Sequence, residues 1–271
     1  MTDRYAVIGN PIAHSRSPEI HAAFARQTGQ DMCYERILSP LDGFAAAVDS
    51  FRAAGGRGMN VTLPFKLEAF AYSPRRTPRA EAAGAVNTLR FDDGSVLGDN
   101  TDGAGLAHDL TRNLGLRLSG ARILLLGAGG AAQGVVLPLL EHRPACLVVA
   151  NRTRDKAAAI ASMFRDNGPV SGCGLAELTG RRFDVVVNAT SAAIGGAAPE
   201  FCPDIFADGA FAYEMMYGKG ETPFLSLARG AGAGGWADGL GMLVEQAAES
   251  FLLWRGVRPD TGPVLAMLRQ A

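Results

Sequence analysis

The feature that most restricts this chain lies near its middle, where the uncharged run from Ile123 to Leu140 joins an apolar segment, ILLL, to Gly127-Ala128-Gly129-Gly130-Ala131-Ala132 and then to VVLPLL. Four glycines, Gln133 and Pro138 interrupt the run, so a strand, a glycine loop and a helix describe it better than a membrane span. Gly127 permits a tight turn out of the strand, Gly129 lets main-chain N–H groups approach a ligand, and small Ala132 lets the helix pack closely on a sheet. Such a loop at a helix N-terminus suits the pyrophosphate of a dinucleotide, although glycines after a strand also serve ordinary turns.

The following segment strengthens the dinucleotide reading. The β-branched stretch from Cys146 to Ala150 comes at βαβ spacing and ends in Asn151-Arg152-Thr153-Arg154-Asp155-Lys156. A site for a ribose 2′-hydroxyl would carry Asp or Glu at this strand end; Asn151 with Arg152, Arg154 and Lys156 suits a 2′-phosphate, so NADP is expected rather than NAD. A solvated, basic helix start is the plainer reading of the same cations, Arg154 in particular.

A cofactor loop beginning near residue 127 in a chain of 271 residues leaves room for a separate domain ahead of it. With 48% hydrophobic and 20% charged residues and a formal net charge of −1, the composition is that of a soluble globular protein, and gives no sign of nucleic-acid binding or disorder. Cys33, Cys146, Cys173 and Cys202 are scattered, without a C-x-x-C pair, and His21, His108 and His142 show no ligand spacing. Neither a disulfide framework nor a metal site is expected, and His14 reads as structural. The segment Met1 to Tyr5 leads into a strand without the order of a signal peptide, so a cytoplasmic setting is expected.

Strand and helix alternate through the first hundred residues: Tyr5–Gly9, Tyr34–Leu38 and Gly58–Leu63 read as strands, and Pro18–Gln27 and Leu41–Ala54 as helices. Pro64 is expected to open a helix carrying Phe65, Lys66 and Phe70, Ser73 to Pro78 to form a loop, and Asn87–Arg90 with Ser95–Gly98 to form a hairpin. A helix from Thr101 to Leu114 leads to a strand beginning at Arg122, with later strands at Val185–Asn188 and Gly209–Tyr213. Leu240, Leu243, Val244, Ala247, Ala248, Phe251 and Trp254 make one apolar helical face, from which Gln246 points away. The expected class is α/β with mainly parallel sheets.

Three polar stretches each follow an apparent strand, where open α/β sheets bind ligands: Asn10 to Pro18, Asn60 to Lys66, and Asp99 to Gly103. Together with GAVNTL, GAGGAA, NRT, NATS and DGLGMLVEQA, the motifs NPIAHSRSP, NVTLPFK and GDNTDG occur in the order found in shikimate dehydrogenases, and the chain resembles that family over nearly its whole length. The resemblance implies NADP-dependent interconversion of 3-dehydroshikimate and shikimate, a step of chorismate and aromatic amino-acid biosynthesis. It also implies a substrate-binding and catalytic domain over 1–102, a Rossmann-like NADP domain over 103–237, and C-terminal helices over 238–271 packing back on the first domain.

Carried over by motif, Lys66 and Asp102 would be the catalytic pair, Lys66 as acid towards the developing alkoxide and as base in reverse, Asp102 orienting it and binding a substrate hydroxyl. Ser15 and Ser17 would bind the substrate carboxylate, while Thr62, Asn87, Tyr217 and Gln246 would contact its carboxylate or hydroxyls. On the cofactor side the resemblance implies Gly127 to Ala131, Asn151 to Arg154, Lys156, Thr190 and Ser191, with Met215 and Gly239 near the nicotinamide. Plainer roles stand beside these: helix N-caps for Ser17 and Asp102, a turn residue for Asn87, a packed aromatic for Tyr217 and a helix-entry glycine for Gly239.

The chain departs from the common pattern at Ala192-Ala193 after NATS, at Glu214 where Asp usually precedes Met, and at Pro78 where an acidic residue can occur. The expected partner is a small-molecule substrate, with no nucleic acid and no membrane, the protein being a monomer or homodimer. Alternatives are a paralogue acting on quinate or an aminoshikimate, and a non-catalytic module sensing NADP or a metabolite.

Overall fold

The computed structural model describes residues 2–92, 94–190, 203–218 and 220–270. The chain forms two compact units, one running through Gly105 and resuming at Leu243, the other spanning Leu106–Met242. Among the described residues no helix is long and apolar enough to cross a membrane.

The first unit contains β1 (Asp3–Gly9), α1 (Ser17–Thr28), β2 (Met32–Leu38), α2 (Phe44–Ala53), β3 (Gly56–Val61), α3 (Lys66–Tyr72), β4 (Arg75–Arg76), α4 (Pro78–Ala83), β5 (Thr88–Asp92), β6 (Ser95–Asp99) and the beginning of α5 (Asp102–His108). Its sheet has the order β2-β1-β3-β5-β6-β4. β1 pairs in parallel with β2 and β3, while the β5–β6 hairpin runs antiparallel beside β3. Ala6, Val7 and Ile8 are buried, as a strand covered on both faces requires. Because the chain passes from β2 on one side of β1 to β3 on the other, the loops after β1 and β3 diverge at a topological switch point. Gly9 is required there, since a Cβ would collide with the Thr62 methyl group.

Some local expectations need correction. Pro64 lies before α3, in a turn closed by the bond from Phe65 N to Thr62 O at 3.1 Å, so Lys66 is the first helical residue. The segment expected to be a loop holds β4, paired in parallel with Leu97 and Gly98 of β6. Arg76 steadies it by donating to the carbonyls of Phe70 and Ser73 while lying over the Phe70 ring. Past His108 the helix widens into a π-helical turn, Asp109–Asn113.

The second unit carries β7 (Arg122–Leu126), α6 (Gly130–Glu141), β8 (Cys146–Asn151), α7 (Arg154–Phe164), β9 (Val170–Gly174), β10 (Phe183–Asn188), β11 (Phe206–Glu214), α8 (Pro223–Gly230) and β12 (Gly235–Ala237). Its six strands, in the order β12-β11-β10-β7-β8-β9, are all parallel, a doubly wound arrangement whose switch point lies between β7 and β10. Ile123, Leu124, Leu125 and Leu126 are fully buried at its centre. α9 (Leu240–Arg255) starts in this unit and continues in the first, followed by α10 (Gly262–Arg269).

Candidate active site

In the first unit, α3 and α5 present Lys66 and Asp102 from their first turns. Lys66 Nζ donates to Asp102 Oδ2 at 2.6 Å, and both side chains remain partly open to solvent, at 28% and 19% exposure. Asn87, buried just ahead of β5, donates through Nδ2 to the other Asp102 oxygen at 2.8 Å. The orientation of that amide follows from its opposite end, where Oδ1 accepts from the Thr101 backbone N–H at 2.9 Å and from the Thr88 hydroxyl at 2.8 Å. Asp102 is thus held by two donors on separate oxygens. The alternative N-cap role is not made: its carboxylate turns to Lys66 and Asn87, while the α5 backbone begins with Gly105 N donating to Thr101 O.

Gln246 completes this cluster from α9. Its Oε1 lies 3.4 Å from the Thr101 hydroxyl and 3.5 Å from Asn87 Nδ2, while its Nε2 donates to Leu243 O at 2.8 Å. Gly105 must be glycine to let α5 approach so closely, because a Cβ there would stand 2.7 Å from Gln246 Cβ. Ser15 and Ser17 occupy the loop after β1, with Ser15 Oγ donating to Ser17 Oγ at 3.2 Å. Ser17 is not the N-cap of α1; Arg16 holds that position and makes no side-chain capping bond. Thr62 follows β3, so both motif loops flank the switch point of this sheet.

Below the cluster lies a hydrogen-bonded layer that the sequence pattern did not announce. Burial holds the Tyr34 hydroxyl well above its ordinary pKa, so it acts as a donor, reaching Asn60 Oδ1 at 2.7 Å. Asn60 Nδ2 in turn donates to Ser250 Oγ at 2.9 Å and Thr88 Oγ1 at 3.1 Å, and the Thr88 hydroxyl donates onward to Asn87. Arg79 binds Asp99 and Glu249, and Arg258 binds Glu249 and Glu245, tying α9 to the strand that ends beside Asp102. The available signal was weak: Gln246 and Ser250 lie one turn apart on a helix otherwise rich in apolar residues.

In the second unit Gly127, with φ near 107°, turns the chain out of β7, and a Cβ there would crowd Ala189 and Thr190 after β10. Among the described residues, added Cβ atoms at Gly129 and Gly130 would meet nothing within 4 Å, whereas Ala132 is fully buried against the sheet. Among the described residues nothing crowds the N-terminus of α6, which leaves room for a pyrophosphate there. At the end of β8, Arg152, Thr153, Arg154 and Lys156 are exposed, and Asn151 Nδ2 donates to Thr153 O at 3.0 Å. Arg154 pairs with Glu177 at 3.0 Å; among the described residues Arg152 and Lys156 make no ion pair and can turn to a 2′-phosphate. These donors and this space fit NADP.

Beyond β10, the backbone N–H and hydroxyl of Thr190 both donate to Asn188 Oδ1, and Met215 N donates to Asn188 O at 3.0 Å. Gly239 N donates to Met216 O at 3.0 Å, and a Cβ at Gly239 would collide with the Met215 carbonyl. Tyr217 follows β11 and is exposed. Ser191 and Ala192-Ala193 lie outside the described residues. Among the described residues no group of three or more His, Cys, Asp or Glu side chains is gathered as a metal ion would need.

Comparison with known proteins agrees with this arrangement. Family models match three parts of the chain: the shikimate dehydrogenase substrate binding domain over residues 7–89, shikimate/quinate 5-dehydrogenase over 108–194, and the shikimate 5'-dehydrogenase C-terminal domain over 239–269. A shikimate dehydrogenase (NADP(+)) of Aromatoleum aromaticum is 64% identical, covering 99% of this chain and 97% of its own. Among solved structures, an Ael1 enzyme from Pseudomonas putida is 50% identical with a TM-score of 0.94, covering 98% of both chains. Shikimate 5-dehydrogenase from Thermus thermophilus, in complex with NADP(H) and shikimate, is 33% identical with a TM-score of 0.88 over 99% of both. With two-domain architecture, motifs and relatives in agreement over the whole length, the chain belongs to the shikimate dehydrogenase family.

Proposed function

We propose that this protein is an NADP-dependent oxidoreductase that reversibly reduces 3-dehydroshikimate to shikimate, the step that chorismate and aromatic amino-acid biosynthesis requires. The observation that carries the reading is the Lys66–Asp102 pair at 2.6 Å, with Asn87 on the second carboxylate oxygen. A lysine ammonium has three donors, and Asp102 occupies one of Lys66's; the others remain for a substrate oxygen. Bound NADPH supplies the hydride. As alkoxide charge grows on the ketone oxygen, the Lys66 ammonium stabilises it and gives up a proton; in the oxidative direction Lys66 takes that proton back.

Asp102, fixed by Lys66 and Asn87, keeps lone pairs for a substrate hydroxyl. Ser15 and Ser17 receive the substrate carboxylate, and Thr62, Asn87, Tyr217 and Gln246 complete the recognition of a polyhydroxylated ring. Short hydroxyl and amide groups suit such a ligand. Gly127 to Ala131 hold the pyrophosphate, Asn151 to Arg154 with Lys156 the adenosine 2′-phosphate, and Thr190, Ser191, Met215 and Gly239 the nicotinamide end. The setting of this activity is the cytoplasm, as a monomer or homodimer, without nucleic-acid or membrane partner.

Initial rates with shikimate and quinate, each with NADP and NAD, test the reading. Shikimate with NADP is expected to be turned over fastest. One of the matching family models also names quinate, and faster turnover of quinate with NAD would replace this reading by that of a quinate dehydrogenase.

A further inference from the structure

Glu214 is a fully buried carboxylate, and among the described residues no cation is paired with it. It stands at the end of β11, where three groups donate to its oxygens and the Asp238 carboxylate lies near enough to repel it. Asn188 Nδ2 reaches Oε2 at 2.7 Å, Met216 N reaches Oε1 at 3.1 Å, and the Thr222 hydroxyl lies 3.4 Å from Oε2. The Asn188 amide N–H and the Met216 backbone N–H can only donate, one to each carboxylate oxygen, so the two shortest contacts favour the anion. Burial pushes the carboxyl above its ordinary value and the negative charge of Asp238 adds to that push, while the three donors oppose it. A buried charge without a counter-ion is costly, and such arrangements concentrate at functional sites.

The segments that Glu214 ties together are those of the cofactor side. Through Asn188 it governs Thr190, whose N–H and hydroxyl both bind Asn188 Oδ1. Through Met216 it governs the chain after β11, whose Met216 carbonyl accepts from Gly239 N at the entry to α9. One carboxylate therefore joins the ends of β10 and β11 and the start of α9. Asp at this position would be one methylene shorter, and the three donors would have to move to meet it.

We infer that Glu214 is the positioning residue of the nicotinamide subsite, and that its uncompensated negative charge biases this subsite towards the oxidised, positively charged ring. The inference rests on the reading that Thr190, Met215 and Gly239 face the nicotinamide. When the ring gives up hydride it becomes cationic, so a fixed anion nearby favours NADP+ over NADPH and helps reduction of the substrate ketone. Glu214 acts through Asn188, Met216 and its field, without touching the reacting atoms.

The experiment compares dissociation constants of NADP+ and NADPH, measured calorimetrically on the full chain, for the parent, Glu214→Gln and Glu214→Asp. Glu214→Gln keeps the size and removes the charge, and it is expected to weaken NADP+ at least about threefold more than NADPH. Equal factors for the two forms, or no change, would overturn the inference. Glu214→Asp keeps the charge but shortens the reach; both affinities should fall at least about threefold with their ratio preserved. Unchanged affinities in Glu214→Asp would overturn the positioning role even if the Gln variant did not fold. Arg152→Ala, run alongside, separates the two levels: unaltered NADPH affinity there removes the cofactor reading itself, whereas a loss there with a constant ratio in Glu214→Gln removes the inference alone.

Discussion

Asn87 and Lys66 grip opposite oxygens of the Asp102 carboxylate, at 2.8 and 2.6 Å. A carboxylate so held cannot rotate without losing a charge-assisted bond, and it keeps the lysine ammonium at one place on the rim of the site.

Lys66→Ala removes the proposed proton donor while leaving the second unit untouched. Turnover should fall by roughly 10²- to 10⁴-fold, with the NADP dissociation constant changed less than about threefold. Steady-state rates and a cofactor titration provide the check; near-normal turnover would strip Lys66 of the catalytic role.

Arg152→Ala should raise the KM for NADP by roughly 10- to 100-fold, the size of a charge-assisted contact to a phosphate, and change the KM for NAD less than about twofold. An equal loss with both cofactors would disprove the 2′-phosphate assignment.

Gly172 lies where β9 passes under α7, and a Cβ there would overlap the backbone carbonyl of Ala157. Backbone on both sides leaves nothing flexible to yield. Gly172→Ala should cost about 1–3 kcal/mol in chemical denaturation of the second unit. A loss below about 0.5 kcal/mol would show that α7 can slide on the sheet.

His21 is fully buried between Tyr34, Phe24, Phe251 and Trp254, with neither ring nitrogen hydrogen-bonded. Burial lowers its pKa to about 3, and neighbouring Asn60 offsets this in part. The folded state therefore holds fewer protons than the unfolded one between about pH 6.5 and 3, so this contribution is complete above pH 6.5 and is lost as pH falls. Relative to His21→Phe, which cannot titrate, the parent should lose about 2 kcal/mol between pH 7 and 5. Parallel stability curves for the two proteins would contradict this.

Both units were legible in the sequence where main-chain requirements dictate residue type. The strand into Gly127 and the loops after β1 and β3 declare themselves because a switch point needs glycine or short polar residues next to apolar strands. What stayed hidden depends on long-range partners. Arg75 and Arg76 read as loop because two residues carry no period, and β6 alone makes them a strand. Glu245, Glu249 and Ser250 sit on a helix whose apolar spacing signals core, and their burial is tolerable only because Arg79, Arg258 and Asn60 meet them from distant segments. Glu214 was visible as an unusual residue, but the three donors around it belong to β10, the segment after β11 and the approach to α8.

The first unit is assembled from the two ends of the chain. Gly58 lies so near Trp254 that a Cβ would stand 2.5 Å from the indole nitrogen, which itself donates to Leu89 O, and Asn60 needs Ser250. During synthesis the segments bearing Lys66 and Asn87 leave the ribosome first, yet their sheet lacks these partners until residues beyond 243 emerge. The continuous second unit can close before that point. The half of the molecule made earliest is the last to become whole, and a nascent chain halted once residue 242 has emerged from the ribosome would carry a finished dinucleotide fold while the sheet of the first unit is still uncovered.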